Sequence, residues 1–238
     1  MIFHTQANYQ LMPKQVDLWL LNLYQSTHTF ASILNSEETA RAQRFIKPQH
    51  QQRFTVARGM LRILLGRYLQ QDPSTLQFHF NKYGKPYLQT SSNIEFNLSH
   101  SNNLALLAIG QQYPLGVDIE YFSQRPFIDI AKIMFSPNEL EYLNNASPEQ
   151  HTPIFFNIWT QKEAVIKACG IGLTYPTKTF DVSINTDNML LLQDPVTQTS
   201  WQLHTFNLQE HYASALCAAP GMTIHLHSML ESPQLITQ

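Results

Sequence analysis

The sequence is poor in charged residues. Only 13% of its 238 residues are Asp, Glu, Lys or Arg, and the formal net charge is -2. A chain with so small a negative charge has no general attraction for nucleic acid or for an anionic membrane surface. The ten histidines are scattered without metal-ligand spacing. We therefore expect no nucleic-acid or membrane partner, and any polyanion must bind through a local cluster of basic side chains.

Cysteine is also scarce. Cys169 and Cys217 are the two cysteines, and both lie in apolar segments without a C-x-x-C pattern. This spacing excludes a cysteine metal site. We expect two buried free thiols, although a disulfide stays open for a protein of an oxidising compartment.

Long apolar runs are missing as well. No stretch approaches the roughly 20 residues that span a bilayer. Residues 1–10 lack the basic start and apolar run of a secretion signal. We therefore expect a soluble, cytoplasmic protein.

Hydrophobic periodicity predicts a mixture of strands and helices. Apolar residues at alternate positions indicate strands, and apolar residues three and four apart indicate helices. Strands are expected at residues 16–20, 76–80, 94–98, 104–109, 115–119, 181–184, 201–206 and 212–218. Helices are expected from an N-cap at Ser36, over residues 54–68, from a capping box at Ser136, and over residues 154–169 with Gly170 after them.

The order of these elements predicts an α+β fold. In both parts of the chain, helices are followed by a strand rich in small residues, at 105–109 and 213–219. This repetition indicates a duplication. We predict two similar-sized halves, residues 1–111 and 112–238, and a disordered tail over residues 231–238.

Asp118 and Glu120 are the first candidate site residues. Residues two apart on a strand point to the same face, so the two carboxylates are expected side by side. Two anions held so close favour a cation between them, and oxygen ligands suit a hard ion such as Mg²⁺. Taken alone, the pair fits an exposed polar face of an edge strand better.

Glu163 and Lys167 are the second pair. Their spacing of four places them on one face of a helix, where a surface ion pair is the ordinary interpretation. Together with Asp118 and Glu120, Glu163 could supply a third carboxylate. Lys167 could then supply a cation for a phosphate bound by the same metal ion.

The remaining candidates lie at turns and on the long helix. The run N-L-S-H-S at residues 97–101 ends a predicted strand and could donate to an anion or form an ordinary polar turn. A serine hydrolase is disfavoured because no G-x-S-x-G motif is present. Lys85, Arg58 and Arg62 are either surface charges or anion-binding residues.

Four blocks in fixed order carry a family resemblance. They are G-K-P at residues 84–86, N-L-S-H-S at 97–101, G-V-D-I-E at 116–120 and W-T-Q-K-E-A-V-I-K at 159–167. The chain resembles the 4′-phosphopantetheinyl transferase superfamily, whose signature is the last two blocks. The resemblance extends over residues 36–180 and more loosely to Ala219. The length resembles the monomeric Sfp type rather than the short trimeric synthases.

The resemblance implies a fold and a set of site residues. The implied fold is a pseudo-twofold pair of α+β halves with the active site in the cleft between them. The implied magnesium ligands are Asp118, Glu120 and Glu163. The implied coenzyme A contacts are Arg58 at the 3′-phosphate, Lys85, Ser99, His100, Lys162 and Lys167.

The implied reaction transfers 4′-phosphopantetheine from coenzyme A to a serine of an apo acyl or peptidyl carrier protein and releases adenosine 3′,5′-bisphosphate. Glu163 is the implied base, directly or through a metal-bound water, and Lys167 stabilises or protonates the leaving phosphate. A magnesium-dependent phosphohydrolase acting on a nucleotide or coenzyme A pyrophosphate is the alternative. A non-catalytic carrier binder would lack one of the acidic residues, and all three are present.

One departure from the family pattern concerns the first predicted helix. Glu38 stands where several relatives have a lysine. Arg41 and Arg44 are then the basic residues left on that helix.

Overall fold

Strands and helices are mixed along the chain in the computed structural model, which describes residues 9–89, 92–124, 127–184 and 189–230. The strands are β1 Gln15–Asn22, β2 Phe78–Phe80, β3 Pro86–Leu88, β4 Ile94–Ser101, β5 Leu104–Gln111, β6 Gly116–Tyr121, β7 Met189–Gln193, β8 Ser200–Phe206, β9 Tyr212–Ala218 and β10 Thr223–Met229. The α-helices are α1 His28–Ala31, α2 Ser36–Gln43, α3 Pro48–Leu69, α4 Phe127–Met134, α5 Pro137–Asn145 and α6 Pro148–Cys169.

Two four-stranded sheets form the centre of the molecule. The first has the order β10-β1-β5-β4, in which β10 runs parallel to β1 and the other pairs are antiparallel. The second has the order β6-β9-β8-β7 and is antiparallel. The hairpin of β2 and β3 stands apart. The predicted α+β class is confirmed.

Three apolar clusters stack these elements in layers. One lies between α3 and the first sheet, a second between the two sheets, and a third between the second sheet and α6. Because β1 and β5 are covered on both faces, their side chains are buried along almost the whole strand. This double burial explains the continuous apolar run at residues 104–109, which a half-exposed strand would not have.

The predicted division of the chain after residue 111 stays a prediction, as does the pseudo-twofold relation. The first sheet takes strands from both predicted halves, because β10 pairs with β1. The predicted disordered tail at residues 231–238 lies outside the described residues. Within those residues, no helix is long and apolar enough to cross a membrane.

Several predicted boundaries are wrong. The N-cap of α2 is Asn35 rather than Ser36, and its side chain accepts from the amide of Glu38. Helix α6 begins at Pro148 instead of residue 154. The predicted strand at 181–184 forms no strand pairing, because two of its amides donate to side chains: Val182 to Glu139 Oε1 at 2.8 Å and Ser183 to Gln161 Oε1 at 3.2 Å.

The prediction of two free thiols is confirmed, since neither Cys169 nor Cys217 is in a disulfide, but Cys169 is half-buried rather than buried. Cys217 is fully buried, and burial raises the pKa of its thiol. Burial and a hydrogen bond to Asp194 raise the pKa of Cys169 as well. Both thiols are therefore held in the protonated, unreactive form.

Candidate active site

Gly116 allows α6 to lie directly against β6. A Cβ atom at this position would lie 2.2 Å from the carbonyl oxygen of Ala164 and 2.3 Å from the amide nitrogen of Ala168. No other residue fits so close a backbone approach. The contact brings Glu163 and Lys167, on the same helix, over the carboxylates of β6.

Asp118 lies at the centre of the site and is 3% exposed. Its Oδ1 accepts hydrogen bonds from Ser99 Oγ at 2.7 Å and from Lys167 Nζ at 2.6 Å. Lys167 Nζ also donates to Ser99 Oγ at 2.9 Å. Oδ2 of Asp118 is buried and has no hydrogen-bond partner among the described residues. A buried carboxylate oxygen without a partner is costly, and a bound cation would satisfy it.

Glu120 lies two residues further along β6. Its Oε2 accepts a hydrogen bond from Ser101 Oγ at 2.7 Å. The structure therefore brings Asp118 and Glu120 together against two serines of β4, Ser99 and Ser101, as the alternation of β6 predicts.

Glu163 is half-buried beside this pair. The pKa of its carboxyl is raised to about 7, chiefly by burial and also by the charges of Asp118 and Glu120, against the opposing positive charge of Lys167. Three carboxylates thus share a region in which one of them keeps a proton near neutral pH. A cation among them would remove this repulsion.

The three carboxylates are not arranged to coordinate a metal ion in this structure. No group of three His, Cys, Asp or Glu side chains in the described residues is arranged to hold a metal. The ammonium group of Lys167 lies against Asp118 instead. The chemistry of the donor set nevertheless fits a hard cation, because it offers carboxylate oxygens, one of which is buried without a partner.

A cavity of about 790 Å³ adjoins the site on the side of α2 and α3. Leu98 and His100, at the end of β4, line it next to the carboxylate cluster. Much of its wall is positively charged or aromatic, namely Arg41, Arg44, Arg58, Phe54, Phe78 and Phe80, and Glu37 and Glu38 also line it. Such a surface suits an anionic ligand with a flat ring.

Arg58 reaches this cavity already paired with Glu38. Its guanidinium group hydrogen-bonds Glu38 Oε1 and lies 3.9 Å from the centre of the Phe78 ring. Arg62, fully buried, donates to Glu38 Oε2 at 2.7 Å. Burial would raise the pKa of Glu38, but the two arginines outweigh it and hold that pKa below its ordinary value.

His100 faces the cavity among positive charges. Partial burial lowers the pKa of its imidazole, the charges of Lys167, Arg53 and Arg41 lower it further, and the charge of Asp118 opposes them. The ring is therefore neutral at pH 7 in the absence of a bound anion. A phosphate group would add a negative charge and raise this pKa.

The structure does not bring Lys85 to the carboxylates. Its Nζ donates to the carbonyl oxygens of Leu115 at 3.0 Å and Ala168 at 3.3 Å. It lines a different cavity of about 350 Å³. Lys85 thereby ties the β2–β3 hairpin to the end of α6.

Lys162 also lies away from the cluster. Its side chain is fully buried, and Nζ contacts Glu139 Oε2 at 2.9 Å and the carbonyl oxygens of Thr177 and Phe180 at 2.7 and 2.5 Å. These bonds occupy the ammonium group inside the fold and leave it no access to a coenzyme. We therefore leave Lys162 out of the proposed site.

Comparisons with known proteins identify the family of this chain. The model of the 4′-phosphopantetheinyl transferase superfamily matches residues 114–217, and the model of the N-terminal part of a 4′-phosphopantetheinyl transferase matches residues 22–112. The transferase HetI of Nostoc sp. is 43% identical over 70% of this chain and 73% of its own length. The transferase Sfp of Bacillus subtilis is 30% identical over 80% of this chain and 84% of its own. The chain belongs to the 4′-phosphopantetheinyl transferase superfamily, as an enzyme of the Sfp type.

Two site features were missed by sequence reasoning. Glu38 pairs with Arg58, which the family resemblance implied as a contact of the 3′-phosphate. Ser101 contacts Glu120, and the signal for this was available in the alternation of Asn97, Ser99 and Ser101 along β4. Positions two apart on a strand share one face, so this alternation places all three side chains toward the same neighbouring strand.

Proposed function

We propose that this enzyme transfers the 4′-phosphopantetheine group of coenzyme A to a serine hydroxyl of an apo acyl or peptidyl carrier protein, with Mg²⁺ as cofactor. Its relatives are named as 4′-phosphopantetheinyl transferases, which favours transfer over the phosphohydrolase alternative. The observation that carries the proposal is the cluster of Asp118, Glu163 and Lys167 beside the basic, aromatic cavity.

The cavity explains how the nucleotide end of coenzyme A would bind. Its arginines offer charge to the 3′-phosphate, and its phenylalanines offer a surface for the adenine ring. Because Arg58 is already paired with Glu38, we assign the larger share of the phosphate charge to Arg41 and Arg44. His100 lines this cavity and is close enough to Lys167 and Asp118 for their charges to act on it, so we assign the pyrophosphate to its vicinity.

The residues of the cluster suit transfer of a phosphoryl group. In the proposed step the serine oxygen of the carrier forms a bond to the phosphorus next to pantetheine. The bond from that phosphorus to the bridging oxygen breaks, and adenosine 3′,5′-bisphosphate leaves with the electron pair. Glu163 takes the serine proton as the general base. Lys167 places a positive charge beside the leaving phosphate.

Asp118, Glu120 and Glu163 would hold the magnesium ion. When bound, Mg²⁺ neutralises negative charge on the pyrophosphate. The partnerless oxygen of Asp118 and the protonated state of Glu163 support a cation in this place. A monomeric enzyme located in the cytoplasm remains a prediction from the sequence.

Intact-mass measurement tests the metal requirement. A purified apo carrier is incubated with the enzyme, coenzyme A and Mg²⁺, and the proposal predicts a mass gain of one phosphopantetheine. EDTA should abolish the gain, and so should Asp118→Ala. The exposed carboxylate of Asp129 provides the matched control, since Asp129→Ala should transfer normally. Transfer that is unaffected by EDTA would overturn the metal assignment.

A further inference from the structure

Ser101 is the last residue of β4, and its side chain links this strand to β6, which carries the carboxylates Asp118 and Glu120. The side chain is largely buried, and its hydroxyl donates to Glu120 Oε2 at 2.7 Å. The same oxygen accepts the backbone N–H of Tyr121 at 3.0 Å. Both bonds run to neighbouring residues of one strand.

This contact belongs to a row of side-chain bonds between the two sheets. Strand β4 is the edge of the first sheet and β6 is the edge of the second. Asn97 Oδ1 accepts the Val117 amide at 2.9 Å, and Ser99 Oγ donates to Asp118 Oδ1 at 2.7 Å. Ser101 is the third member of the row. Side chains of β4 thus make the hydrogen bonds that backbone groups would make between two paired strands. They thereby set the register of β6 relative to β4.

The two bonds of Ser101 leave its hydroxyl one orientation. A serine hydroxyl has one hydrogen to donate and lone pairs to accept. Because the Tyr121 amide fills the accepting direction, the hydrogen points to Glu120. The Ser101 hydroxyl that binds the Glu120 carboxylate is therefore itself fixed by the backbone amide of Tyr121, the next residue on β6.

We infer that Ser101 is a positioning residue for Glu120, which sets the direction of this carboxylate before a cation binds. The inference rests on the proposed function, in which Glu120 is a magnesium ligand. A free glutamate side chain loses rotational freedom when it takes a metal ion. Ser101 has already restricted Glu120 in the metal-free enzyme, so less freedom is lost on binding. Partners of metal ligands commonly change metal affinity by about 10–100-fold when they are replaced.

The test measures metal binding directly. Mn²⁺, a paramagnetic substitute for Mg²⁺, is titrated into the full-length enzyme without coenzyme A, and free Mn²⁺ is followed by electron paramagnetic resonance. Ser101→Ala should weaken Mn²⁺ binding about tenfold. Ser101→Thr keeps the hydroxyl on a β-branched side chain that suits a strand, and it should restore most of the affinity.

Ser214 provides the matched control. It is also a buried serine, on the neighbouring strand β9, and its hydroxyl donates to the carbonyl oxygen of Phe206 at 2.8 Å. Ser214→Ala therefore loses a buried hydroxyl hydrogen bond without touching a carboxylate. It should leave Mn²⁺ affinity unchanged, and thermal unfolding of both alanine variants shows whether each is folded.

A double-mutant cycle shows whether Ser101 acts through Glu120. In a Glu120→Gln background, Ser101→Ala should cause little further loss of Mn²⁺ affinity. An equal loss in both backgrounds, or equal Mn²⁺ binding by Ser101→Ala and Ser214→Ala, overturns the inference alone. Wild-type enzyme that binds no Mn²⁺, or binds it unchanged after Asp118→Asn, overturns the proposed metal site and the inference with it.

Discussion

Lys167 Nζ lies 2.6 Å from Asp118 Oδ1, so a lysine ammonium group flanks the carboxylate that we propose as a magnesium ligand. Asp118 is almost fully buried, and the side chain of Lys167 is 26% exposed. In the absence of a metal ion, Lys167 is the direct counter-charge of Asp118. A cation that approaches Asp118 Oδ2 would share this carboxylate with the lysine.

Lys167→Met should make the stability of the enzyme more dependent on magnesium. Without divalent cations, the buried Asp118 charge loses its partner, and the free energy of unfolding should fall by about 2 kcal/mol. Mg²⁺ replaces the lost positive charge, so it should raise the unfolding temperature more in this variant than in wild type. The turnover rate should fall about 100-fold or more, because the charge beside the leaving phosphate is gone.

Lys132→Met is the control for Lys167→Met. Lys132 forms an exposed ion pair with Asp129 at 3.2 Å, and such pairs contribute less than about 1 kcal/mol. Mg²⁺ should raise the unfolding temperature of Lys132→Met by the same amount as that of wild type. An equal rise of unfolding temperature with Mg²⁺ in wild type and both variants would contradict the assignment of Asp118.

Magnesium binding should release a proton near neutral pH. Glu163 has a pKa raised to about 7 in the metal-free protein. A bound cation favours the ionised carboxylate and lowers that pKa. Well below pH 7, close to one proton per site should therefore be released, near pH 7 about half a proton, and above about pH 8 almost none, so apparent affinity should rise with pH up to about 7. Calorimetry in buffers of different ionisation enthalpy counts the protons.

Glu163→Gln tests the source of this proton. The variant has no titrating group at that position, so proton release should disappear between pH 6 and 7. Persistence of the same release in Glu163→Gln would mean that another group titrates.

Glu38→Gln should destabilise the enzyme strongly, because Arg62 is fully buried and Glu38 holds its charge. Breaking a buried ion pair on one side costs about 3–5 kcal/mol. The pKa of Glu38 is held below its ordinary value, so its contribution is present above pH 4.5 and is lost as the pH falls through the lower folded-state pKa. Urea unfolding at pH 7 and pH 3 measures both effects.

Glu37→Gln is the matched control, since Glu37 is the exposed neighbour of Glu38 in the first turn of α2. The free energy of unfolding of Glu37→Gln should fall by less than about 1 kcal/mol. Similar stability of the two variants would mean that Glu38 does not carry the charges of Arg58 and Arg62.

Lys162→Met should change stability without changing coenzyme binding. Lys162 and Glu139 are both fully buried, so removal of one partner leaves the other charge uncompensated. If Lys162→Met does not fold, the double variant with Glu139→Gln removes both charges and should recover stability. Titration calorimetry with coenzyme A should give wild-type affinity for the folded variant. A loss of affinity beyond about tenfold would return Lys162 to the site.

The sequence alone predicted much of the fold and the centre of the site. Alternation along residues 115–119 placed Asp118 and Glu120 on one face, and helical spacing placed Glu163 with Lys167. These are local periodicities, which a short segment determines by itself. The capping box at Ser136 was predicted for the same reason and is confirmed.

Long-range contacts account for what the sequence did not predict. The pairing of Glu38 with Arg58 and Arg62 spans 20 and 24 residues, and no local pattern indicates it. Lys162 adjoins Glu163 in the sequence, yet on a helix adjacent residues point in different directions, and Lys162 is directed into the interior. Strand β10 was missed although Ile224 and Leu226 alternate with histidines, and its pairing with β1 joins distant parts of the chain.

Simultaneous measurement of both products tests the central claim, transfer from coenzyme A to a carrier serine. In one reaction, adenosine 3′,5′-bisphosphate is quantified by chromatography and the modified carrier by intact mass. We predict equimolar amounts of the two, and no nucleotide release when the carrier is omitted or its serine is replaced by alanine. Nucleotide or phosphopantetheine released without a carrier would contradict the account and indicate a phosphohydrolase.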